Sequence, residues 1–147
     1  MQIVRYLMIN KTSIFIFAIW ATCFSIAAYA TEENQWTLDR LSERGLFAIT
    51  LQPKDDRPII GDYHEWVIRV RDENGKGIEG AEFRFDGGMA AHGHGLPSQP
   101  LVTQYLGEGK YLIEGILFNM AGAWTLVIAI KNDNMIDTAQ FDMTLDF

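Results

Sequence analysis

Residues 63–71 read Tyr-His-Glu-Trp-Val-Ile-Arg-Val-Arg. Trp66, Ile68 and Val70 recur at every second position, while Glu65, Arg69 and Arg71 take the places opposite. Successive side chains of a β-strand point to opposite faces, so this stretch predicts a strand with one apolar face. His64 shares the parity of Trp66 and points inward at the rim.

The same period recurs on both sides of it. Ala81, Phe83 and Phe85 alternate with Glu82 and Arg84, and Trp124, Leu126, Ile128 and Ile130 share a face. Strands are predicted at about 45–51, 63–71, 79–85, 100–105, 110–117, 123–131 and 136–145. Turn signals separate them: the Pro53–Gly61 loop, Asn74-Gly75, Gly107-Glu108-Gly109 and Lys131-Asn132-Asp133-Asn134. Seven short antiparallel strands match the size and rhythm of an immunoglobulin-like β-sandwich, an all-β fold. Residues 45–147 are assigned to that domain, and 31–44, with Trp36 and Leu38 as its main apolar residues, to an N-terminal arm or short helix.

Residues 1–30 are of another kind. Arg5 and Lys11 precede a charge-free run from Ile14 to Ala28, and Ala28-Tyr29-Ala30 follows. A basic start, a short apolar stretch and an A-x-A end form a secretory signal peptide, with cleavage expected after Ala30 and export to the periplasm. Retention of the segment as a membrane anchor is the alternative. The whole chain has 147 residues and a net charge of −7. Without Arg5 and Lys11, ten basic residues face nineteen acids, giving the mature chain −9. That balance opposes nucleic-acid binding, which needs a basic footprint. The single cysteine, Cys23, leaves with the signal, so the mature chain offers no thiolate.

The segment Gly87-Gly88-Met89-Ala90-Ala91-His92-Gly93-His94-Gly95-Leu96-Pro97 holds two of the three histidines. If the seven strands alternate in direction, the connections 52–62, 86–99 and 118–122 lie at one end. Met89, His92, His94, Met120 and His64 then collect at one pole. Imidazole and thioether together suit copper, and thioether selects Cu(I). A blue-copper centre is excluded for want of a thiolate. Zinc fits less well, although Glu65 and Asp86 keep it open. The plain alternatives are that the histidines shape a Gly-rich turn, that Met120 plugs the end of the sandwich, and that His64 is structural. Met135 and Met143 are assigned to packing. Asp55-Asp56 and Asp62 with Glu65 read as solvated loop charges, since no EF-hand spacing is present. No catalytic triad order, phosphate loop or H-E-x-x-H occurs, so no enzyme is expected.

Residues 80–126, GAEFRFDGGMAAHGHGLPSQPLVTQYLGEGKYLIEGILFNMAGAWTL, resemble the periplasmic domain family called YtkA-like or FixH-like. The resemblance rests on Gly80-Ala81, the GGM-x-x-H-x-HG-x-P loop of Gly87–Pro97, the G-x-G-x-Y hairpin at Gly107–Tyr111, and the F-x-M-x-G-x-W turn at Phe118–Trp124. The His64-Glu65-Trp66 strand start fits it too. Ala90 and Ala121 stand where the family usually has proline. What the resemblance implies is an exported, immunoglobulin-like, non-enzymatic domain linked with copper handling or with delivery to a copper protein such as a respiratory oxidase. A metal-free accessory interaction module of the cell envelope is the competing expectation, and neither reading specifies an oligomeric state.

Overall fold

A computed structural model describes residues 36–55 and 57–146. The signal-peptide reading of 1–30 and the start of the expected arm lie outside the described residues. Among those described, the chain forms nine strands: β1 (Leu38–Leu41), β2 (Ala48–Pro53), β3 (Tyr63–Arg71), β4 (Glu82–Met89), β5 (His94–Gly95), β6 (Leu101–Gly107), β7 (Lys110–Leu117), β8 (Gly122–Asn132) and β9 (Met135–Leu145). They make two antiparallel sheets, ordered β1-β2-β3-β7-β6 and β5-β4-β8-β9, which gives the all-β sandwich that the alternation predicts. No helix among the described residues is long and apolar enough to cross a membrane.

The inward parities hold. Trp66, Ile68 and Val70 of β3 face Trp124, Leu126, Ile128 and Ile130 of β8 in one core, joined by Phe47, Ile49, Leu51, Ile113, Phe118 and Phe141. Full burial of each large apolar side chain contributes roughly 1.5–3 kcal/mol, so the interior carries the fold. Trp66, Phe118 and Trp124 meet edge to face, with ring centroids 6.2 Å and 5.2 Å apart across the two contacts.

Two strands were not expected. Residues 38–41, placed in the arm, pair with β2 as the edge of the first sheet, and Trp36 packs against Trp66 at 5.5 Å. The third predicted strand runs to Met89 rather than Phe85, and β5 folds back on its end. Glycine pairs usually read as breakers, but here they admit close neighbours. At Gly88 φ is 143°, and a Cβ there would collide with the carbonyl oxygen of His94. The segment expected as a loop is therefore a small hairpin.

Register fixes the poles. Tyr63 pairs with Leu117, and Gly88 with Thr125. The start of β3, the end of β7, the start of β8 and the end of β4 thus share one end, where the 54–62 connection enters β3, 90–93 leads from β4 to β5, and 118–121 joins β7 to β8.

Candidate functional site

The hairpin presents its histidines by local rules. After Met89 the chain makes one 3-10 turn, Ala90–His92, which closes when the N–H of Gly93 donates to the carbonyl of Ala90 at 3.2 Å. Gly93 has φ 65°, the left-handed conformation that ends such a turn and that glycine adopts without steric cost. His92 and His94 flank it, both exposed. Their rings lie 6.3 Å apart between centroids with planes 13° from parallel. Neither imidazole is hydrogen-bonded to a described residue.

Met89 and His94 are cross-strand partners. Such residues share a face, with Cβ atoms about 4.5–5.5 Å apart. Their environments differ: His94 is exposed at the sheet edge, whereas Met89 is 1% exposed. The Met89 methyl carbon lies 2.9 Å from where a Cβ at Gly122 would stand, so this glycine makes room for it. Gly122 ends the link from Phe118, and Met120 in the middle of that link is 38% exposed. The indole Nε1–H of Trp124 donates to the carbonyl of Met120 at 2.9 Å and holds the turn.

His64 is placed differently. It is 6% exposed, and its Nε2 lies 3.0 Å from the backbone nitrogen and 2.7 Å from the carbonyl oxygen of Ile59. One of those two bonds forms in either tautomer. A further bond, from the Gly61 N–H to the carbonyl of Phe118 at 2.8 Å, ties the 54–62 connection to the 118–121 link. The fold thus pairs His94 with Met89 in register, sets the Met89 methyl against Gly122 at the end of the Met120 turn, and engages His64 with its own loop.

The carboxylates that kept zinc open are otherwise employed. Glu65 pairs with Lys54, and the pair's hydrogen bond and attraction hold the Lys54 pKa above its ordinary value. Asp86 accepts the N–H of Gly87 at 2.7 Å. Among the described residues no group of three or more His, Cys, Asp or Glu is placed to hold a metal ion. One residue at this pole escaped the sequence reading, Ile59, which receives His64; Gly122, the glycine of the F-x-M-x-G-x-W turn, was singled out, but not as the seat of Met89. Ile59 carries no pattern of its own, and the role of Gly122 depends on Met89, a neighbour distant in the chain.

No curated protein matches the chain. No solved structure matches it either. The family model described as YtkA-like matches residues 47–129, more than half of the chain and all of β2 to most of β8. Met89, His92, His94, Met120 and His64 all fall within that span, and on this match the chain belongs to the YtkA-like family.

Proposed function

We propose that this chain is an exported, periplasmic, non-enzymatic domain that binds copper as Cu(I) at the pole formed by the 90–93 hairpin and the 118–121 link. His92, His94 and Met120 are the ligands open to solvent, Met89 is buried at the position paired with His94, and His64 braces the neighbouring loop. The observation that supports this reading most is the exposed pair of imidazoles without hydrogen bonds to the described residues, at the end where a thioether also reaches the surface. The donor set fits the metal: thioether is soft, imidazole accepts either oxidation state of copper, and no thiolate is needed. Ligands on a surface hairpin can be exchanged one at a time, which suits delivery to an exported or membrane copper protein.

The test is a Cu(I) titration against a competing chelator, using protein purified after expression of the full sequence. Wild type should withdraw one Cu(I) per chain. The His92→Ala/His94→Ala variant should lose at least about tenfold in affinity, or about 1.4 kcal/mol. Equal, weak binding by both would sink the reading.

A second reading, a metal-free accessory module of the cell envelope, draws on the apolar side chains at the same pole. Ile59 and Tyr63 are 62% and 70% exposed. Recovery of an envelope partner by wild type and by the double-histidine variant alike, with copper absent, would favour it.

A further inference from the structure

His92 and His94 bear on a different ion as well. A closed zinc site takes four ligands drawn from Cys, His, Asp and Glu, and even an open one takes three from the protein. One chain offers two nitrogens here. His64 is buried and bonded to Ile59, and no third His, Cys, Asp or Glu joins the pair among the described residues. The pair is half of a zinc site.

We propose that two copies of this chain complete it. His92 and His94 of each copy hold one Zn(II) in a four-imidazole tetrahedral shell, and the ion joins the molecules at their hairpin tips. A two-fold axis through the ion makes the two contributions identical, as in the commonest class of homo-oligomer. The fold leaves the approach open, because β5 is an edge strand and His92, Gly93 and His94 are all exposed. Charge sets the dependence on metal. Each mature chain carries nineteen acids against ten bases, so two copies repel, and a divalent cation between the tips offsets that repulsion locally. The dimer should therefore exist with Zn(II) and not without it.

Sedimentation velocity on chelator-treated protein from the full sequence, titrated with zinc sulfate, tests this. The expected result is a doubling of mass that saturates at one Zn(II) per two chains and reverses with EDTA. His92→Ala and His94→Ala should each abolish it while leaving the far-UV circular dichroism unchanged. His92→Gln and His94→Gln provide the same test if an alanine variant folds poorly. Met120→Ala should keep the zinc dimer while losing Cu(I) affinity, which separates this proposal from the copper reading on which it does not depend. A monomer that binds one Zn(II) per chain would overturn it. So would a dimer that survives either histidine substitution, loss of the dimer in Met120→Ala, or open-ended aggregation.

Discussion

His64 is 6% exposed and spends its Nε2 on the backbone of Ile59, while His92 and His94 are exposed with no hydrogen bond from their rings to the described residues. The same side chain therefore has opposite consequences when removed. His64→Ala removes a buried ring and leaves the partly buried Ile59 backbone without its partner, at a cost of about 1 kcal/mol or more. Urea unfolding should show that loss, and Cu(I) competition should show affinity within a few-fold of wild type. A large fall in affinity would instead make His64 a ligand. His92→Ala should shift stability by no more than about 0.5 kcal/mol, as expected for an exposed residue, and act on metal binding alone. Met89 shows how depth changes a thioether. Its side chain fills space beneath Gly122, and Met89→Ala should cost about 2–5 kcal/mol in unfolding free energy by opening a cavity.

At the scale of the element, the hairpin of β4 and β5 depends on a missing side chain. A Cβ at Gly88 would meet the carbonyl of His94 and the backbone of Gly95, and backbone cannot swing aside as a long side chain can. Gly88→Ala should therefore unpair β5 and move His94 without emptying the core. Its expected signature is a chain that folds cooperatively, with altered His94 imidazole signals by NMR and weakened Cu(I) binding. Unchanged signals would mean that the hairpin does not position the histidine. The opposite strand of the pole is secured by Trp124, whose Nε1–H holds the carbonyl of Met120. β1 shows the limits of local pattern. Only four residues long and mostly exposed, it is defined by its pairing with β2 rather than by any alternation of its own.

For the sandwich as a whole, Asp137 links β9 to the turn between β1 and β2. It is 4% exposed on β9 and accepts the backbone N–H groups of Arg44, Leu46 and Thr138, with the Arg44 guanidinium 3.7 Å away. Burial pushes its pKa up, but hydrogen bonds from Ser42 and from the Thr138, Leu46 and Arg44 amides outweigh it and hold the carboxyl below its usual value. The unfolded chain then takes up the proton first. The stabilisation is fully present above the unfolded pKa, near ~3.9, and is lost as pH falls through the lower folded value. Unfolding free energy measured from pH 7 downward should drop across that window in wild type and drop less in Asp137→Asn. Some slope should persist, because hydrogen bonds from Thr125 and Gln140 hold Asp142 low in the same direction.

The period of two in β3 and β8, the turns at 74–75, 107–109 and 131–134, and the kinds of donor at the pole were all legible in the chain. Strand alternation and turn preference arise between neighbouring residues, so their traces are local. The short strands β1 and β5 left no such trace, since each exists through the strand it pairs with. The site divides along the same line. Met89, His92, His94, Met120 and His64 could be brought toward one end by counting strands, and their chemistry followed from residue type. Which of them meets solvent was decided by the tertiary structure alone. Gly122 makes room for the Met89 methyl, and the Ile59 backbone engages His64, while the hairpin tip leaves its two imidazoles exposed. Burial depends on what stands opposite: for Met89 a glycine from another connection of the fold, for His64 the loop that leads into its own strand.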